Sequence, residues 1–537
     1  MKNWLLGATS IALAGLLAGC NPPELSSTTV DGIVYCAEGS PEVFNPQLVT
    51  SGTTIDAISQ HLYDRLIDID PASGRLVPSL ASQWTVSDDG LTYRFTLRNS
   101  VAFHHTSYFK PSRFLNATDV EFTFNRVLDK SNPFHFVATE YPYFASVGWQ
   151  SLVAKVTAVD PEHVEFVLNQ PDSSFLSTLA TDFSAILSAE YAQQLQQQKQ
   201  EPKLDELPVG TGPFKFREYQ KDVLIRYYQH EDYWRKAVKP QQLVIDIVPD
   251  NTKRLAKLLT HECDVAPIPR MAELSMLSHS TDFHIDEQTA MNVGYWAFNT
   301  QKPPFNDSRV RRALAHAINR QNILQAVYFG QAVAAQSVLP PNSWAYNDKV
   351  QAPAYDPETA KELLAAAGYP KGFSMDIWAM PVQRNYNPNA QKMAELIQAD
   401  LAQVGIRARI ISYEWNTFRR KLKDFEHDSV LIGWSADNAD PDNFFRPLFS
   451  CAAAQSGSNR ANWCDPTFDQ FISNAVLTTQ MEQRRSFYLA AQQYLIEQMP
   501  LLPIAHSKRF LVHGQNIEGI ETNPYGGINF ARAEKRP

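Results

Sequence analysis

The sequence lacks a basic surplus, a long apolar run and a dense set of cysteines. Lys and Arg number 48 against 57 Asp and Glu, a formal charge of −9. A broad basic face for nucleic acid does not fit that balance. Mean hydropathy is −0.31. No apolar run reaches the roughly 18 residues of a spanning helix, which excludes a multi-pass membrane protein. Catalytic signatures are missing as well: there is no G-x-S-x-G, no H-E-x-x-H and no P-loop. Gly210-Thr211-Gly212-Pro213 is glycine-rich, but its proline and the missing Lys-Ser/Thr pair fit a turn better than a phosphate cradle. No regular repeat is visible.

What is present is ordinary globular material. The 537 residues are 44% hydrophobic and 20% charged, enough for two to four domains at roughly 100–200 residues each. Residues 1–20 carry the sharpest local signal. Lys2 precedes an apolar stretch from Trp4 to Gly19, and Leu17-Ala18-Gly19-Cys20 closes it. That length and those small residues fit an export signal. The closing box resembles that of bacterial lipoproteins, which implies a lipidated Cys20; a plain signal peptide or an uncleaved anchor is the bland alternative. Residues 21–30 are polar and proline-bearing, a tether.

With Cys20 set aside, Cys36, Cys263, Cys451 and Cys464 remain. An even count in an exported chain suggests disulfides, and four cysteines allow three pairings. Cys451 and Cys464 are close enough to staple a short loop, worth roughly 3 kcal/mol. That leaves Cys36 with Cys263. No C-x-x-C or zinc-spaced histidine set accompanies them. His104 and His105 are adjacent, and on a strand they would face opposite ways, which suits structural roles better than a shared metal. The 13 histidines show no spacing that selects a haem ligand.

Patterning alternates between strand and helix. Thr92–Leu97, Val164–Leu168 and Leu243–Ile247 alternate like strands. Asn116-Ala117-Thr118-Asp119 reads as a helix start, and Arg309–Tyr328 and Met393–Val404 carry helical spacing. Pro357 in a first turn and Gly368 as a stop frame another helix. Such alternation suggests α/β layers.

Six motifs then occur in order: WTVSDDGLTYRFTLR (84–98), LNATDVEFTFNRV (115–127), VGTGPF (209–214), DYW (232–234), VRRALAHAINR (310–320) and YDPETAKELLAAAGY (355–369). Together they resemble the extracytoplasmic solute-binding proteins of peptide ABC importers, over nearly the whole mature chain. CAEGSPEVFNPQLVTSGTT (36–54) and MPVQRNYNPNA (380–390) look like the DppA, or dipeptide-binding, subgroup. YDRLIDIDP (63–71), RLAKLLTHECDV (254–265) and PDNFFRPLFSCAA (441–453) look like the SapA subgroup, so the chain reads as SapA-type with a DppA-like pocket.

The resemblance implies an α/β fold, a two-lobed periplasmic-binding-protein clamp (class II, cluster C) of three subdomains with lobe I discontinuous. It implies a signal peptide at 1–19, a lipidated tether at 20–30, lobe I with an inserted subdomain at 31–288, lobe II at 289–507 and a return to lobe I at 508–537. Cys36–Cys263 would lie in lobe I and Cys451–Cys464 in lobe II. By position in the family, Asp437 takes a peptide's ammonium and Arg384 its carboxylate, the pairing that opposite charges and a guanidinium fork favour. Gly433 and Thr50-Ser51-Gly52 would hold the peptide backbone, as in strand addition. Trp434, Tyr386 and Trp415 would form apolar walls. On residue type alone, Asp437 is a turn former, Arg384 a surface arginine and the aromatics core.

The resemblance also implies a non-enzymatic monomer without cofactor, lipid-anchored in the periplasm of a Gram-negative cell. It would hand short peptides to the permease subunits of an ABC transporter in the inner membrane. Haem, a thiol peptide or cationic antimicrobial peptides are the alternative ligands. An exported hydrolase whose triad assembles only in space is the alternative of another class.

Overall fold

The computed structural model describes residues 32–137, 140–267 and 271–536. The expected signal peptide (1–19) and the expected lipidated tether from Cys20 to residue 30 lie outside the described residues. Among the described residues, no helix is long and apolar enough to cross a membrane.

Alternation builds the smaller sheet. Thr92–Leu97 buries Tyr93, Phe95 and Leu97 and leaves the residues between them more exposed, the period-two pattern of a half-buried strand. It lies between Ala81–Val86 and His163–Leu168, and Val153–Asp160 completes a four-stranded antiparallel sheet. Helix Ala117–Leu128 packs on it. Asn116 accepts the Thr118 N–H while the Asp119 carboxylate accepts the Asn116 N–H. That capping box satisfies donors a helix start leaves orphaned.

The larger sheet spans the molecule. On one side Gly32–Ala37 runs parallel to Gln242–Ile247 and to Val265–Pro267. Leu224–Gln229 and Phe214–Gln220 extend it. On the other side Asn292–Phe298 pairs with Ser429–Ser435, followed by Ser374–Ala379 and Arg407–Ile411. One long strand, Leu501–Gly514, serves both sides. Its first half pairs with Asn292–Phe298, and its second with Phe283–Thr289 and Val265–Pro267. The hydrophobic cores are separate: one gathers residues from 33–265 and 511–533, the other from 291–505. The chain therefore passes between the two cores twice, between Val265 and Met291 and between Ala505 and Leu511. This is a two-lobed α/β clamp.

Arg309–Tyr328 reads as one helical stretch but forms two helices, Ser308–Ala317 and Arg320–Tyr328. Ile318 is extended, Asn319 caps the second helix by accepting the Asn322 N–H, and its own N–H goes to Asp400. Apolar spacing runs across the break and conceals it. His104 and His105 lie outside any strand. His104 is buried, its ring accepting the Gly210 N–H and donating to the Gly212 carbonyl. A Cβ on Gly210 would lie 1.9 Å from the Leu62 carbonyl oxygen, so the GTG segment is a close-packed turn.

Two of the ordered motifs, VGTGPF and DYW, meet at one buried carboxylate. Asp64 accepts from Thr211 Oγ1 (2.8 Å), Trp234 Nε1 (2.9 Å) and Tyr233 Oη (3.3 Å). These motifs hold lobe I together. Disulfides join Cys36 to Cys263 and Cys451 to Cys464, with Cα atoms 5.8 and 4.5 Å apart.

Candidate functional site

The lobes face each other across a polar cleft, and its chemistry begins with three acids. Asp437, Asp440 and Asp442 follow strand Ser429–Ser435 at the start of helix Asp442–Phe449. Asp440 is bound by Arg484, with oxygens 3.0 and 2.9 Å from Nη2. Asp442 is 3.0 Å from Arg446 Nε. Asp437 has no cationic partner among the described residues. Its backbone N–H donates to Asn443 Oδ1 (2.9 Å), and Asn443 Nδ2 donates to Asp437 Oδ2 (3.3 Å). Burial pushes its carboxyl up to about 8; the Asn443 hydrogen bond opposes the rise and Asp182, on lobe I, adds to it. A carboxylate desolvated without a counter-charge is a poised acceptor for a cation.

Asn443 also accepts from Trp434 Nε1 at 3.2 Å, so one amide orients both the acid and the half-buried indole. Sequence reasoning missed Asn443. It lies inside the PDNFF motif, but nothing in that string tells that its side chain turns back six residues.

Arg384 sits in a tight turn closed by reciprocal backbone bonds to Asn387. Its guanidinium reaches lobe I. Nη1 donates to Glu38 Oε1 (2.6 Å) and Nη2 to Thr53 Oγ1 (2.8 Å). The group lies 5.5 Å from the centre of the Trp415 ring, a cation–π distance. Trp415 opens helix Trp415–Lys423 and stacks on Phe418, which explains its half-burial. The next turn of that helix places Arg419 beside Glu42 of lobe I. Glu38, Glu42 and Thr53 lie inside the 36–54 motif, but nothing in that string marks them as partners of Arg384 and Arg419. Their pairing joins positions more than 300 residues apart.

Arg460 completes the cationic wall. It lies beside Tyr295, Tyr386 and Arg419, and burial draws its guanidinium down to about 10. Its Nη1 donates to the Gly457 carbonyl at 2.6 Å, and among the described residues it has no carboxylate partner.

Tyr386 lies over two glycines. A Cβ at Gly433 would fall 2.3 Å from Tyr386 Cδ2, and one at Gly294 2.1 Å from the Tyr386 carbonyl oxygen. The close approach at Gly433 is thus made by the chain's own Tyr386. Tyr328 Oη donates to the same carbonyl at 2.7 Å and fixes the turn. Thr50, Ser51 and Gly52 form the turn into helix Gly52–Leu62. Ser51 is buried and makes no side-chain cap, while Gly52 is exposed.

Direct bonds tie the lobe edges. Arg446 Nη2 donates to Asp172 (3.0 Å), the Ser173 N–H to the Val476 carbonyl (2.7 Å), and Asn438 Nδ2 to the Ser177 carbonyl (3.2 Å). Lys423 meets Glu140 at 2.6 Å. The clamp is closed along both rims.

A two-lobed clamp whose second lobe brings an unpaired acid and a set of guanidinium groups to contacts with the first is built to hold a solute. Comparison with known proteins names the family. Residues 75–456 match the bacterial extracellular solute-binding proteins, family 5 (middle). The dipeptide-binding protein of Escherichia coli K12 is 46% identical over 506 residues, covering 94% of this chain and 95% of that protein. The peptide transport periplasmic protein SapA of Salmonella typhimurium is 42% identical over 535 residues, covering 98% and 97%. Among solved structures, the dipeptide-binding protein from Pseudoalteromonas sp. SM9913 in complex with Met-Leu superposes with a TM-score of 0.92. It is 51% identical and covers 94% of this chain and 100% of that one. The chain belongs to the family 5 bacterial extracellular solute-binding proteins, a family of binding proteins and not of enzymes.

Proposed function

We propose that this protein is the periplasmic substrate-binding component of a peptide ABC importer and captures short peptides by closing on both of their ends. Asp437 receives the peptide's α-ammonium, and Arg384 its α-carboxylate, with Glu38 as the guanidinium's alternative partner. The observation that carries the reading is at Asp437: of three neighbouring acids, two are neutralised by arginine and this one is not. Names of relatives add support, since one is a dipeptide-binding protein and another was solved with Met-Leu.

Both ends of a zwitterion lose water on closure, which costs several kcal/mol per charge unless each is paired. Trp434, Tyr386 and Trp415 line the space between the anchors, the turn at Thr50-Ser51-Gly52 faces the peptide backbone, and Gly433 serves by admitting Tyr386. The crossings at Thr289 and at Ser507–Lys508 serve as the hinge, dividing lobe I (31–288 and 508–537) from lobe II (289–507). A lipid on Cys20 keeps the monomer near the permease that receives the peptide.

Calorimetric titration of ligand-stripped protein tests this. A free dipeptide should bind, the same dipeptide capped by acetyl and amide should lose at least a hundredfold, and haem should not compete. Tight haem binding that leaves the dipeptide without measurable heat would overturn the reading.

A further inference from the structure

Strands Phe283–Thr289 and Leu501–Gly514 run antiparallel, with His284 opposite His513. Residues two apart on a strand share a face, which puts Asp286 beside His284. The three side chains converge. His284 Nε2 lies 3.3 Å from Asp286 Oδ1, and His513 Nε2 lies 3.4 Å from Asp286 Oδ2. The imidazole centres are 5.1 Å apart, and one ligand-capable atom from each residue falls within 4.8 Å of the other two. We propose that His284, Asp286 and His513 form a binding site for one divalent transition-metal ion at the edge of lobe I, remote in role from the peptide cleft.

The spacing suits an ion. Ligands held at about 2.0–2.1 Å from a tetrahedral zinc stand about 3.3–3.4 Å from one another; each imidazole already has that separation from one Asp286 oxygen, and the whole set lies within 4.8 Å, so a small side-chain adjustment gathers it around an ion. The buried histidine is prepared for the task. His513 Nδ1 donates to the Gly514 carbonyl at 2.9 Å, which leaves the lone pair of the neutral ring on Nε2, the atom that faces Asp286. Exposure is graded: the His513 side chain is 9% accessible, Asp286 32% and His284 55%. An ion therefore enters from the His284 side, and water fills the positions the protein leaves open. Two imidazoles with one carboxylate select zinc, nickel or copper over magnesium or calcium, which prefer all-oxygen shells. The two histidines are far apart in the chain, so no sequence spacing announces the set.

A protonated imidazole beside Asp286 is the competing reading of the same contacts, and metal stoichiometry separates the two. The full-length protein, stripped with chelator and dialysed, is titrated with zinc chloride by calorimetry and with cobalt chloride by visible absorption. One ion per chain is expected, with the cobalt bands of a low-coordinate nitrogen–oxygen site. His284→Ala and His513→Ala should each weaken binding at least tenfold, with dipeptide affinity unchanged in His284→Ala. The His284 side chain is largely exposed, so its removal spares the fold and tests the site even if His513→Ala does not fold. No stoichiometric zinc uptake by the wild type, or unchanged affinity in His284→Ala, overturns the proposal.

Discussion

Among single residues, the chemistry of the cleft is a matter of which charges have partners. Asp440 and Asp442 are held by Arg484 and Arg446, and Arg384 by Glu38. Asp437 and Arg460 stand without an opposite charge among the described residues. Arg460 lies next to Tyr386, which itself neighbours Arg384, so a second anionic group on the ligand has a place to go. Dipeptides with Asp or Glu as the second residue should bind several-fold more tightly than those with Asn or Gln. Arg460→Met should erase that preference while keeping affinity for neutral dipeptides, as paired titrations would show. An unchanged preference in Arg460→Met would remove Arg460 from the ligand's surroundings. The sequence alone does not pick Asp437 from its neighbours: three acids within six positions look alike, and only their arginine partners, brought from distant segments, tell them apart. Family position supplies the choice of Asp437 and Arg384. The partners Asn443, Glu38 and Thr53 have no signal of their own.

Strands and helices, for the most part, follow directly from local chemistry. The capping box at Asn116 and the alternation of Thr92–Leu97 are visible in the string and present in the structure. The break at Ile318–Asn319 is not, because Asp400 makes it from another helix by accepting the Asn319 N–H. Several ordered motifs are legible as a family signature, and their physical role is packing. Around Asp64, Thr211 and Trp234 donate from loops that meet only in three dimensions. Asp64→Ala would leave those donors buried and unpaired, a loss of about 3 kcal/mol. Urea denaturation should record it as a lower midpoint, with dipeptide affinity at 25 °C retained. A midpoint within error of the wild type would mean that Asp64 does not organise lobe I.

For the molecule as a whole, two separate cores joined by two passages of the chain would make the proposed closure a rigid-body event. In the closed clamp, burial holds Asp437 near 8, with Asn443 opposing and Asp182 and Tyr143 as its neighbours on lobe I. Opening admits water and returns the carboxyl toward its ordinary range. The closed form therefore binds a proton more tightly than the open form. Without ligand, acid favours closure and base favours opening, across the window from about 4 to about 8. Small-angle scattering of the ligand-free protein should show the radius of gyration falling between pH 8 and pH 5. Asp437→Asn should be flat over that range. An ammonium takes the place of that proton at pH 7, pairing with the Asp437 carboxylate, and so would select the closed form.

If each end of the peptide is read by one residue, removing the end and removing the residue should not add. A double-mutant cycle makes the comparison, crossing capped ligands with site variants in calorimetric titrations. N-acetylation of a dipeptide should cost the wild type at least tenfold and cost Asp437→Asn almost nothing further. C-amidation should behave the same way toward Arg384→Ala. If each cap weakens binding equally in the wild type and in its matching variant, the ends are read elsewhere, and the assignment of Asp437 and Arg384 as the two anchors is wrong.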